Sequence, residues 1–213
     1  INKYVYIALH DYFLGGMRLA YSSIESVKKI SDIRHPIIRE TLKFYNFSND
    51  VEISVFADIP STGSGLGSSS AFTVALINAL KNYSGSECGS EYLAKTACFI
   101  EIEKCGEPIG VQDQYSIAYG GIRKFYFSND DSVKVESKYE LNEKKDFLEQ
   151  SLLLFYTGIS RNSSDILSEQ KKRIQGGSVE NISAIQELVC SMEAAILSEN
   201  SNQMGEILNE NWR

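Results

Sequence analysis

Residues 59–72 read IPSTGSGLGSSSAF, a run of glycines and hydroxyls set against an apolar stretch with no lysine close by. Glycines let backbone N–H groups come near a ligand without Cβ atoms in the way. A helix that starts directly after such a run adds roughly half a positive charge at its N-terminus, so the pair makes a cradle for an anion such as a phosphate. Taken alone, a Gly/Ser stretch is more often a flexible surface loop, and only its flanks decide between the two. The two common nucleotide loops are excluded by residue type. A Walker A loop needs lysine where the stretch from Gly63 has Ser69, and in the Rossmann pattern the third glycine would fall at Ser70.

The flanks supply a strand and a helix. Before the loop, VEISVFADI (51–59) places Val51, Ile53, Val55, Ala57 and Ile59 on one face of a half-buried strand. After it, Phe72, Leu76 and Leu80 recur every four residues, which predicts a helix from about Ser69 to Asn82. Upstream, KYVYIAL (3–9) and MRLAYSS (17–23) suggest a hairpin around Gly15-Gly16, and Pro36 opens a helix over 36–45. Downstream, a helix over about 90–104 ends at Gly106, a natural left-handed cap. IRKFYFS and SVKVES form a second hairpin with its turn at Asn129-Asp130-Asp131, and SLLLFYTG (151–158) reads as a fully buried strand. From Ser163 onward the pattern is helical, interrupted at Gly176-Gly177, and it is still helical at Arg213. The charged stretch NEKKD within 140–150 marks a domain boundary between a mixed β/α region and a mostly helical one.

Composition narrows the function. The chain has 213 residues, 43% of them apolar, enough for a sizeable core. A net charge of −7 with scattered lysines and arginines leaves no basic field for a nucleic-acid backbone, so nucleic acid is not an expected partner. The sequence has no apolar run near the ~20 residues that span a bilayer, and INKYVYIALHDYF lacks a secretion cleavage site, so the expected setting is cytoplasmic and away from membranes. Cys88, Cys98, Cys105 and Cys190 form no C-x-x-C pair and His10 and His35 stand apart, which argues for buried free thiols rather than metal ligation.

PSTGSGLGSSSA resembles the P-x-x-x-G-L-G-S-S-A-A phosphate-binding motif of the GHMP kinases, a family that includes galactokinase, homoserine kinase and mevalonate kinase; Ser70 stands where the first of two alanines is usual. A second segment, EIEKCGEPIGVQDQYSIAYGG (101–121), is similar to the one that carries the family's catalytic aspartate. The resemblance implies an α+β GHMP kinase fold with an N-terminal domain over 1–148 and the start of a C-terminal domain over 149–213. It implies ATP at Gly63, Ser64, Gly65, Leu66, Gly67, Ser68, Ser69 and Ser70, with Asp113 as catalytic base. Mg²⁺ goes to Glu101, twelve residues before Asp113, and to Ser69, with Ser68 as its rival. Phosphoryl transfer is mostly positioning and charge neutralisation, so one carboxylate for the acceptor hydroxyl and one for the cation is a sufficient minimum.

Within the family, QDQYSIAYGG and LLLFYTGISRNSSDIL resemble most the kinases that phosphorylate the C1 hydroxyl of a heptose 7-phosphate. By that resemblance Gln112 and Arg161 go to the substrate, a small sugar phosphate. A guanidinium beside a helix start suits a second phosphate, although Arg161 reads equally well as a surface residue. The residues by themselves also read as a helix cap for Asp113 and an exposed helix position for Glu101. A homodimer is compatible with the reading. The family's Gly-rich sugar motif is expected before Ile1 and its C-terminal Gly-rich motif after Arg213. Other acceptors (galactose, fucose, a mevalonate-type alcohol) and a non-catalytic ATP-binding homologue are the competing readings.

Overall fold

The computed structural model describes residues 2–47, 50–59, 65–155, 167 and 180–212. Its first sheet contains strands β1 (Val5–Asp11), β2 (Met17–Ala20), β3 (Ile24–Val27) and β4 (Val51–Ala57), in the order β1-β4-β2-β3. β4 runs antiparallel to β1 and parallel to β2, and β2 pairs antiparallel with β3. The hairpin expected between 3–9 and 17–23 is therefore not formed, because β4 lies between those two strands. Val51 and Ile53 are fully buried, and placing β4 in the middle covers its backbone on both edges. Gly16 makes this arrangement possible. Its φ is +80° and a Cβ there would stand 2.6 Å from the Val27 carbonyl, while its N–H donates to Asp50 Oδ1 at 2.6 Å and its carbonyl accepts from Val51 N at 3.1 Å.

Helix α1 (Pro36–Phe44) begins at the expected proline and buries Ile37, Ile38 and Leu42 against the sheet residues Met17, Leu19, Val51 and Ile53. Helix α2 (Ser68–Tyr83) adds Phe72, Leu76 and Leu80 to the same cluster. A second face of α2, Val74 and Ile77, packs with Leu93 and Ala97 of α3 (Ser90–Cys98) and with Ile117 of α4 (Gln112–Tyr119). α2 is thus buried on two sides, which fixes its N-terminus firmly in space. The helix expected over 90–104 divides into α3 and a π-helical stretch, Phe99–Lys104, closed by Gly106 at φ +73°.

Glu25 of β3 ties the start of α1 to the sheet. Its carboxylate accepts from Tyr21 Oη at 2.6 Å and from the backbone N–H groups of Arg34 at 2.8 Å and His35 at 3.3 Å. The His35 ring lies edge-on to Tyr21 and tilted against Phe72, and its Nδ1 is buried without a partner among the described residues. Burial holds the His35 pKa below its ordinary value, with Arg39 adding to the effect and Glu25 opposing it. A histidine that binds fewer protons folded than unfolded contributes stability above its unfolded pKa of about 6.5, and that stability is lost as pH falls through the lower folded value. We expect the thermal midpoint to drop between about pH 7.5 and pH 5.5, and the drop to shrink in His35→Gln, which cannot titrate. An equal drop in both proteins, followed by circular dichroism, would remove His35 from the account.

The chain leaves α4 through Gly120 and Gly121, both at positive φ, and there a second compact unit begins. The changeover precedes the charged stretch at 140–150 that the sequence suggested as a boundary. This unit holds the expected hairpin, β5 (Lys124–Phe127) with β6 (Val133–Glu136), its turn closed by Asp131 at φ +61° and by Asp130 Oδ1 accepting from Ser132. Helices α5 (Tyr139–Asn142), α6 (Lys145–Ser151), α7 (Glu180–Leu197) and α8 (Ser201–Trp212) follow. Ala195, Met204 and Ile207 form its core with Phe147, Leu148 and Leu188. Glu193 bridges Lys124 and Lys138.

The buried strand expected over 151–158 is corrected in its described part. Ser151 ends α6, and Leu152, Leu153, Leu154 and Phe155 are exposed and without regular structure, since among the described residues no strand pairs with them. Residues 156–158 and the expected break at Gly176-Gly177 lie outside the described residues. No helix among the described residues is long and apolar enough to cross a membrane.

Candidate active site

Gly67 is the N-cap of α2 and sits at φ +68°, with Gly65 at φ +69° two residues before it. Both need the left-handed region that glycine alone enters freely. A Cβ added at Gly67 would lie 3.2 Å from Ile117 Cδ1 and 3.4 Å from the carboxyl carbon and Oδ2 of Asp113. The end of the Gly/Ser loop and the first turn of α4 therefore meet at this point, two helix N-termini beside each other. Asp113 is solvent-exposed there, and Gln112 just before it is exposed as well. An anion held by the start of α2 would thus lie within reach of a free carboxylate.

Glu101, from the π-helical stretch, is wholly buried. The sequence alone offered an exposed helix position as its plain reading, and the structure corrects this. Its Oε1 accepts from Ser69 Oγ at 3.0 Å and Thr73 Oγ1 at 2.9 Å, and its Oε2 from Ser70 Oγ at 2.9 Å and from Gln114 Nε2. A carboxylate offers about four lone-pair sites; Ser69, Ser70 and Gln114 serve three, and the Thr73 hydroxyl, whose one hydrogen also has the Ser69 carbonyl within 3.0 Å, serves the fourth when turned to Glu101, so both buried oxygens are hydrogen-bonded. Three of the donors come from α2, spaced i, i+1 and i+4 so that they share one face of the helix. The fourth follows Asp113 directly, so the same two helices that meet at Gly67 also clasp Glu101.

Sequence reading missed Thr73 and Gln114 and treated Ser70 as a small residue lining the loop. The available signal was the polar stripe Ser69, Ser70, Thr73 on a helix otherwise buried by apolar residues. Ser70 is 3% exposed and turned onto Glu101, whereas Ser69 is exposed. Ser68 is half-buried and Leu66 sits at the surface. Gly63, Ser64 and Arg161 lie outside the described residues.

An exposed serine hydroxyl 3.0 Å from a carboxylate oxygen is an all-oxygen donor pair, the chemistry that suits a hard divalent cation, so Ser69 and Glu101 fit Mg²⁺. Among the described residues no cluster of three or more His, Cys, Asp or Glu is placed to hold a metal. The four cysteines are free, but Cys88, Cys98 and Cys105 are only half-buried and Cys190 is exposed, which corrects the expectation that all are buried. Burial pushes Cys98 up to about 12, with the Glu101 charge adding to it, and burial likewise pushes Cys105 up to about 11. Neither is a thiolate nucleophile at neutral pH.

A strand, glycines at left-handed positions, a helix start and a carboxylate beside it lie together in an α+β unit, an arrangement whose chemistry suits an anion such as a phosphate. Residues 28–121 match the family model described as the GHMP kinases N terminal domain. It is 32% identical over 162 residues to the D-glycero-alpha-D-manno-heptose 7-phosphate kinase of Campylobacter jejuni, covering 76% of this chain and 48% of that protein. It is 27% identical over 176 residues to the mevalonate kinase of Methanothermobacter thermautotrophicus, covering 82% of this chain and 54% of that protein. The chain thus spans about half the length of these relatives. The fold superposes with a TM-score of 0.80 and 24% identity on the crystal structure of a D-glycero-D-manno-heptose 1-phosphate kinase from Bacteriodes thetaiotaomicron, covering all of this chain and 67% of that one.

Proposed function

We propose that this protein is an ATP-dependent sugar kinase that moves the γ-phosphoryl group of ATP onto a sugar hydroxyl, with the C1 hydroxyl of D-glycero-D-manno-heptose 7-phosphate as acceptor. The observation that carries the reading is the contact between Gly67, at the start of α2, and the exposed Asp113 carboxylate. The triphosphate lies along Gly63–Ser70 with the N-terminus of α2 facing its charge. Asp113 accepts the proton of the acceptor hydroxyl as that oxygen bonds to the γ-phosphorus and the bond to ADP breaks. Ser69 and Glu101 would hold Mg²⁺, and the chemistry it would supply there is neutralisation of charge on the phosphate oxygens. In this reading Gln112 and Arg161 are the residues assigned to the sugar, Arg161 to its distal phosphate. The kinase relatives support the reaction class, and the heptose 7-phosphate kinase supports the acceptor.

An ADP-release assay on the full-length enzyme, run with free and phosphorylated heptoses, galactose, fucose and mevalonate, tests the proposal. Turnover with the heptose 7-phosphate well above the others is the expected result. Turnover confined to another acceptor would reassign the substrate, and ATP binding without turnover on any of them would leave a non-catalytic homologue. Glu101→Gln should raise the Mg²⁺ concentration needed for half-maximal activity about tenfold, the effect of losing one charged contact, before it alters the sugar KM. An unchanged Mg²⁺ requirement would remove Glu101 as a ligand.

A further inference from the structure

We infer that Ser70 and Gln114 are positioning residues that hold Oε2 of Glu101 and leave only Oε1, on the Ser69 side, for exchange with a cation, so that this site discriminates between small and large divalent ions. The inference rests on the cation role proposed for Glu101. Its observations are the fully buried carboxylate and the uneven exposure of its four donors. Ser70, Thr73 and Gln114 are buried and Ser69 is exposed, so Ser69 is the donor that can turn away without opening the core. Oε1 accepts from exposed Ser69 and from buried Thr73, whose single hydroxyl hydrogen has the Ser69 carbonyl at 3.0 Å as another acceptor, whereas both donors on Oε2 are buried and Gln114 Nε2 makes its one hydrogen bond there. Gln114 Oε1 has no partner among the described residues and its Nε2 donates to Glu101, so the amide makes one polar contact, and that contact is to the carboxylate. The amide orientation follows, since the reverse would set its oxygen against Oε2. Ser70, where the family pattern has alanine, supplies a hydroxyl to the same oxygen.

A consequence for selectivity follows from ion chemistry. Ca²⁺ takes six to eight oxygens and often both oxygens of one carboxylate, whereas Mg²⁺ demands six at tight octahedral geometry and is content with one. A carboxylate with one oxygen held suits the smaller ion. Removing a holder frees Oε2 and favours the larger one.

The experiment measures binding of Mn²⁺ to the full-length protein with a non-hydrolysable ATP analogue by electron paramagnetic resonance, with Mg²⁺ and Ca²⁺ as competitors. In Ser70→Ala, and independently in Gln114→Leu, the Ca²⁺ constant should rise about tenfold relative to that of Mg²⁺, while circular dichroism stays that of the parent. A ratio equal to the parent's in both variants, or equal weakening of both ions, overturns the inference and assigns these residues to packing. A parent that binds no cation overturns the cation role of Glu101 first and this inference with it.

Discussion

Asp113→Asn in the full-length enzyme should lower turnover by about 10²–10⁴-fold, the usual contribution of one positioned proton acceptor. ATP and sugar should bind nearly as before, because asparagine has the same shape and Asp113 is a surface residue whose change opens no cavity. Its closest glycine neighbour, Gly67, meets the carboxyl through a hydrogen rather than a side chain, so the loop keeps its conformation. The effect should therefore fall on kcat and spare both KM values, and pre-steady-state phosphoryl transfer should slow by the same factor. Near-parental turnover would place the base elsewhere and end the reading of 101–121 as the catalytic segment.

Gly67→Val should abolish measurable nucleotide binding, a loss of at least about a hundredfold. Two effects combine. A β-branched residue at φ +68° is strained by of order 1–3 kcal/mol. The new Cβ would also press on Ile117 at 3.2 Å and on the Asp113 carboxyl at 3.4 Å, and the γ-methyls reach further still. The loop must relax away from the α2 N-terminus, taking the phosphate cradle with it, while the core on both faces of α2 stays packed. Calorimetric titration with ATP on a protein shown folded by circular dichroism checks this. A folded Gly67→Val that binds ATP as the parent does would show that the phosphates lie elsewhere.

Much of the frame was legible because its signals are local. Apolar residues at every fourth position marked α2 to within a residue at each end, Pro36 marked α1, and the Asn129-Asp130-Asp131 turn marked the second hairpin. The split of 90–104 into an α and a π segment was not legible, since both are built from the same residue types. LLLF at 152–155 was misread for a general reason. Four apolar residues in a row describe a strand only when other strands flank them, and the run itself says nothing about that. Expecting a β1–β2 hairpin failed in the same way, because adjacency in sequence is the default pairing and a later strand displaced it.

For the site, the sequence by itself determined the parts: a loop rich in glycine and serine, a helix to follow it, and two carboxylates twelve residues apart. Backbone freedom and helix periodicity are properties of residue types, so they can be read without a fold. Only the tertiary structure decided what the parts do to one another. It set Gly67 against Asp113, buried Glu101 while exposing Asp113, and recruited Ser70, Thr73 and Gln114 to the buried one. Those outcomes depend on two helices packing side by side, and desolvation and hydrogen bonding across that contact act between residues that are neighbours in space alone.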